Sequence, residues 1–384
     1  MIPVGLDGIG RLEAVDVFVA SAQLSTSVGT ALHEHRIRRI GFIRVRGSDA
    51  EGFGEIAAMD QVVGSDPSLD AVLGALRGQW IPRLFEAARA RGGSCPPSHS
   101  LSLLGGDTGV DRMAAAGLEM AILDAELRRA GLSLARWLEV EAASVPFGAL
   151  CGIPADHSVA TLVDAAVSAL EGGASRLRIK VDAGWAAEPL GAVRRALPTA
   201  ALQADANGSL GGEHGLSVLR QIDDLSLACI EEPLGTSDLT ASATLVGQLA
   251  TPVCLDETVT SLRVVRGALR YGACGVLCVK PGRLGGIRAA LGALQEAHRA
   301  GVACFVGGMF EAGLGRSALG ALAGRPEATL VGDVAGASSY LIEDPCRQPG
   351  PQGRSQELFA GDGVGPWPDL ALLEPGWEDP RPGL

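Results

Sequence analysis

Apolar and polar positions alternate with period two over residues 14–20, more loosely over 37–46, and again over 52–58 after a polar turn at 47–51. Period two places successive side chains on opposite faces of a strand, so this stretch predicts a β-meander. The period then lengthens. Leu118, Ala121, Ile122 and Ala125 recur at i, i+3, i+4 and i+7, and residues 69–90 behave similarly, which predicts amphipathic helices. Residues 1–140 therefore read as an N-terminal α+β domain.

From about residue 145 the texture changes to short apolar runs, each followed by a Gly-containing or polar loop and an Ala/Leu-rich helical stretch. The runs are 147–152, 177–181, 201–204, 227–230, 252–255, 275–279, 302–306 and, most weakly, 329–331. Such alternation is the pattern of successive βα units, and eight of them predict an α/β fold of the TIM (β/α)-barrel kind. The barrel domain is expected over 141–325, with residues 326–384 as a C-terminal segment that completes it. An excursion is expected to replace the last helix.

A charged residue closes five consecutive apolar runs: Lys180, Asp205, Glu231, Asp256 and Lys280, at intervals of 25, 26, 25 and 24 residues. One strand, one helix and two loops take about that length in an eight-unit barrel of ~250 residues. The five should thus occupy equivalent places at the C-terminal ends of strands two to six, the rim on which such barrels carry their active sites. Any one strand-end charge is an ordinary solvated loop residue; five in register are not. Buried charges are costly unless paired or bound to metal. Asp205, Glu231 and Asp256 offer hard oxygen ligands suited to Mg²⁺, with Mn²⁺ as the alternative ion. Glu232 and Glu257 are equally acidic, and spacing alone leaves a one-residue shift open at both sites.

Composition narrows the partner class. The 384 residues are 47% apolar and 20% charged with a formal charge of −12, and the pI is near 5.0. An acidic chain of this kind disfavours nucleic acid and anionic membrane surfaces, leaving a small molecule as the expected partner, which the strand-end charges make a carboxylate substrate, and room for a homo-oligomer. The first ten residues lack a basic flank followed by an apolar stretch, and no 18-residue apolar run occurs, so a cytoplasmic location is expected. Eight scattered cysteines without a CxxC pair read as reduced core residues, Cys274 and Cys278 included.

These charges suit removal of a proton from carbon beside a carboxylate. The metal stabilises the developing charge as a Lewis acid, and a lysine near a cation and partly buried is populated as the free base. Lys180 and Lys280, from strands two and six, would face each other across the metal and offer a base on each face of a planar intermediate.

The matching stretches include Arg176-Leu177-Arg178-Ile179-Lys180, Asp205-Ala206-Asn207, Glu231-Glu232-Pro233, Leu255-Asp256-Glu257-Thr258, Lys280-Pro281-Gly282-Arg283-Leu284-Gly285-Gly286 and the run 307–316. Gly52-Phe53-Gly54-Glu55 and Glu119-Met120-Ala121 add to them. Together they resemble the enolase superfamily, in its muconate-lactonising subgroup, and most closely the o-succinylbenzoate synthase and N-succinylamino acid racemase family. The resemblance implies a modified barrel under an α+β capping domain to which the Pro/Gly-rich tail returns. It also implies Lys180 as base, Lys280 as the opposite lysine, and Mg²⁺ on Asp205, Glu231 and Asp256.

Further positions implied at the substrate or around it are Arg178, Asn207, Ser27 in a mobile cap loop at 25–29, and Gly308, Met309 and Glu311 on the rim. Two departures stand out. The family commonly has Lys-x-Lys where this chain has Arg178, and Gly208-Ser209-Leu210 follows Asn207 where racemising relatives often carry a Ser and an aromatic residue. No histidine ends a predicted barrel strand, which disfavours the mandelate-racemase-like subgroup. The implied activity is a Mg²⁺-dependent lyase eliminating water, o-succinylbenzoate synthase of menaquinone biosynthesis, with N-succinylamino acid racemase as the alternative. A non-catalytic carboxylate-binding barrel is the reading from another class.

Overall fold

A computed structural model describes residues 6–29, 34–235 and 237–378 of the chain. The first unit is an antiparallel sheet of β1 (Leu12–Gly29), β2 (Glu34–Gly47) and β3 (Glu51–Ile56), as the period-two pattern predicts. β1 runs well past residue 20, because its ladder with β2 resumes at Val28 and Gly29. The expected loop at 25–29 is therefore strand, and the Ser27 side chain lies outside the described residues.

Helices α1 (Leu69–Ala75), α2 (Ile81–Ala90) and α3 (Gly109–Ala130) follow. Thr108 starts α3 through a reciprocal capping box with Asp111, and Gly131 ends it in the left-handed conformation. Gly54 lets β3 lie directly against α3: a Cβ there would stand 2.0 Å from the Gly117 carbonyl oxygen. A short α4 (Leu134–Trp137) leads out of this unit.

The second unit winds β5 (Gly148–Cys151), β6 (Arg176–Lys180), β7 (Leu202–Asp205), β8 (Cys229–Glu231), β9 (Val253–Leu255), β10 (Val276–Val279) and β11 (Ala303–Val306) into one parallel sheet, preceded by β4 (Ser144–Pro146). The helices between them are α5 (Val159–Glu171), α6 (Ala187–Ala196), α7 (Gly212–Ile222), α8 (Leu239–Val246), α9 (Leu262–Tyr271), the single turn α10 (Pro281–Leu284) and α11 (Ile287–Arg299), with α12 (Gly313–Ala323) after β11. Most of these strands are buried along their whole length, as parallel strands covered on both faces must be.

The weak run at 329–331 is not an eighth strand. Irregular backbone closes the sheet instead: Leu330 and Asp333 donate to β11 at Cys304 and Val306, and Gly332 accepts from Gly148 at the start of β5. The polar and glycine-rich context of this run gives it too few apolar positions to hold a full ladder.

The tail then returns. β12 (Ser355–Glu357) pairs with β4, and β13 (Glu374–Glu378) adds to β1 as the outer strand of the first sheet. Buried Asp124 of α3 fixes the intervening stretch, accepting from Val364 N and Trp367 Nε1, both at 2.7 Å. No helix among the described residues is long and apolar enough to cross a membrane.

Candidate active site

The structure brings the five strand-end charges to one rim. Lys180, Asp205 and Glu231 are the last residues of β6, β7 and β8, in ladder register with one another. Asp256 and Lys280 are the first residues beyond β9 and β10. Four of their heads form two ion pairs. Lys180 Nζ donates to Asp205 Oδ2 at 2.7 Å, and Lys280 Nζ to Asp256 Oδ2 at 2.7 Å. Between these pairs, the carboxylate oxygens of Glu231 and Asp256 and the Cys278 sulfur lie within 4.8 Å of one another.

Arg178 forms the floor. Its guanidinium reaches Glu231 at 3.0 Å, Asp205 at 3.4 Å and Asp333 at 2.8 Å. Lysine has no planar fork to span three carboxylates this way, so the departure from Lys-x-Lys changes the floor from a point charge to a brace. Gln203 donates to the remaining Glu231 oxygen and in turn accepts from Arg176.

Burial sets the electrostatics. Desolvation pushes the Glu231 carboxyl well above the usual range, and neighbouring Asp205 adds to it against the pull of Arg178. Asp256 is the opposite case. Burial opposes its ionisation, but Lys280 and Arg283 outweigh burial and hold it well below the usual range. Lys280 is likewise held above the ordinary lysine range, because Asp256 overcomes the cost of burying the ammonium. The sequence-level expectation that burial lowers this amine is thus reversed in the protein alone.

The two neighbouring acids have partners of their own. Glu232, at φ +38°, accepts from Asp256 N at 2.7 Å and from the Thr258 hydroxyl at 2.5 Å, so it braces the next strand end. Desolvation raises its carboxyl to about 7. Glu257 accepts from Asn207 Nδ2 at 2.8 Å, while Asn207 Oδ1 accepts from Lys180 at 2.5 Å. Asn207 therefore bridges Lys180 to the acidic side of the rim.

Gly308, Met309 and Glu311 build the loop after β11. Glu311 accepts from Met309 N at 2.8 Å, and Met309 packs into the core of the first unit. Arg38 of the first sheet grips this loop at the Phe310 carbonyl. Gly307, just before it, makes room for the Lys280 stem: a Cβ there would stand 3.0 Å from Lys280 Cε.

Sequence reasoning missed several members. Asp333 lies two residues past the weak eighth run, close to the place the other strand-end acids take, and that near-parallel was its signal. Cys278 lies two residues before Lys280 and so on the same face of β10, a period-two relation readable in advance. Arg283 gave no signal of its contact with Asp66, 217 residues away.

Three buried carboxylates on adjacent strand ends, one of them pushed up by burial and by its neighbour's charge, are a donor set of hard oxygens suited to a divalent cation. Asp205, Glu231 and Asp256 are the residues that could hold it. The eight cysteines are free and buried.

The chain matches the model of the enolase C-terminal domain-like family over residues 161–358. It is 34% identical to an N-succinylamino acid racemase of Amycolatopsis over 95% of this chain and 97% of that protein. An o-succinylbenzoate synthase of Bacillus subtilis is 33% identical over 77% of each chain. A solved enolase-superfamily member from Listeria innocua superposes with a TM-score of 0.86 at 25% identity, covering 94% of this chain and 96% of that one. The chain is an enzyme of the enolase superfamily, in the family that holds o-succinylbenzoate synthases and N-succinylamino acid racemases.

Proposed function

We propose that this protein removes the proton alpha to a substrate carboxylate and eliminates water, as an o-succinylbenzoate synthase. The observation that carries this reading is the inequality of the two lysines. Each donates to an aspartate at 2.7 Å, but Lys180 is 27% exposed whereas Lys280 is 10% exposed. One accessible lysine and one covered lysine suit a reaction with a single base.

Lys180 takes the α-proton, and its bond with Asn207 aims the amine. The same ammonium then returns that proton to the departing hydroxyl, so one water leaves and the free amine is restored. Lys280 holds positive charge beside the basin throughout. Arg178 keeps Asp205 and Glu231 in place from below. Mg²⁺ held by Asp205, Glu231 and Asp256 would supply Lewis-acid stabilisation of the charge that develops on the substrate carboxylate, with Mn²⁺ able to substitute.

N-succinylamino acid racemase is the second reading, favoured by the racemase relative that matches 97% of its own length. Here Lys280 would deliver the proton on the opposite face. Parallel assays with Mg²⁺ of dehydration to o-succinylbenzoate and of N-succinylamino acid racemisation decide between them. Dehydration abolished by EDTA is expected. Racemisation without dehydration would transfer the assignment to the second reading, and neither activity would refute both.

A further inference from the structure

A buried chain of charges links the capping unit to the basin. Arg283, in the single turn α10, donates through Nε and Nη2 to Asp66 at 2.8 and 2.7 Å, a bidentate fork. Its third nitrogen, Nη1, donates to Asp256 Oδ1 at 2.7 Å and to the Asp256 carbonyl at 2.6 Å. All three side chains are at most 5% exposed. Asp256 Oδ2 is taken by Lys280. Both oxygens of this carboxylate are therefore aimed by cations, one of which is itself aimed by a residue outside the barrel.

Asp66 belongs to a closed loop between β3 and α1. Leu69 N donates to Met59 O at 2.7 Å across its base, and Val63 and Asp66 exchange backbone hydrogen bonds around a tight turn with Gly64 at φ +57°. Ser65 adds a contact to the Glu257 carbonyl at 3.3 Å. The loop thus touches Glu257 directly and reaches Asp256 through Arg283.

Charge explains why an acid sits there. Arg283 lies against Asp256, and its positive charge opposes a cation arriving on the same carboxylate. Asp66 offsets that charge and fixes the guanidinium so that Asp256 keeps its orientation. We infer that Asp66 is a positioning residue that ties the capping loop 59–68 to the cation-holding carboxylate Asp256 through Arg283, so that cation binding and order in this loop are coupled. The inference rests on the cation role proposed for Asp256. The coupling is reciprocal: whatever the cation gains from the ordered loop, the loop gains from the cation.

The test uses the full-length protein and Mn²⁺ as the probe, with free Mn²⁺ read by electron paramagnetic resonance and loop order read by hydrogen exchange of peptides spanning 59–69. In the wild type, Mn²⁺ should slow exchange in these peptides. Asp66→Asn should bind Mn²⁺ about tenfold more weakly, as loss of a partner that orients a ligand typically does. Its loop should exchange faster and no longer respond to the ion, and Asp66→Glu should recover part of both. Wild-type loop exchange indifferent to bound Mn²⁺ would overturn the coupling without any variant. So would Asp66→Asn binding Mn²⁺ within twofold of the wild type with the same protection. Failure of the wild type to bind Mn²⁺ at all would instead refute the cation site itself, and the coupling with it.

Discussion

Arg178 donates to Glu231 at 3.0 Å beneath the rim, and both side chains are less than a tenth exposed. Removing the guanidinium leaves Glu231, Asp205 and Asp333 crowded in a dry interior with their main counter-charge gone. Arg178→Gln should therefore destabilise the fold by about 3–5 kcal/mol, the usual result of stranding a buried ionic partner. Urea unfolding followed by circular dichroism measures it. A loss under 1 kcal/mol would mean that the carboxylates share protons or find other donors.

The legible part of this site was its register. Five charges at strand ends, 25, 26, 25 and 24 residues apart, could be placed on one rim because the βα repeat fixes their phase. The illegible part was everything joined across the sequence. Asp66 and Arg283 meet over 217 residues, and nothing local in either segment encodes that pairing. Barrel closure by residues 330–333 was missed for a related reason: backbone donors of irregular segments leave no periodicity in the side chains. The continuation of β1 to Gly29 also depends on its partner strand more than on its own residues.

Glu119 gives the account a pH signature away from the basin. It accepts from Ile287 N and Arg288 N at the start of α11, and burial raises its carboxyl from about 4.5 to about 7 against the pull of Arg288. Between these values the folded protein holds a proton that the unfolded chain has released. The associated stability is full below about pH 4.5 and lost as pH rises through about 7. The stability of wild type relative to Glu119→Gln should thus fall by up to roughly 3 kcal/mol from pH 4.5 to 8. Denaturant titrations at several pH values check it, and a flat difference would contradict the assignment.

Thiol chemistry should be silent in the native state. All eight cysteines are buried, and desolvation pushes Cys95, Cys274 and Cys304 up to about 12 and Cys151 to about 11. Thiols held protonated and covered are poor nucleophiles. Ellman's reagent at pH 8 should react at well under one-tenth of the rate seen in denaturant. A rapid native thiol would show that one strand end opens readily.

The lysine pair separates the two reactions. Lys280→Arg keeps a cation beside Asp256 but cannot deliver a proton. Dehydration should persist in part while any racemisation collapses, read by product absorbance and by chiral chromatography. Equal loss of both would remove the division of roles between the lysines.

The central claim is that Lys180 takes the α-proton. Its direct test is exchange of the substrate α-proton in D₂O with Mg²⁺, followed by proton NMR for the wild type and Lys180→Ala, with circular dichroism confirming the fold. Exchange or turnover should fall by at least a hundredfold in the variant, the lower range for loss of a general base. Deuterium incorporation at the wild-type rate in Lys180→Ala would contradict the account.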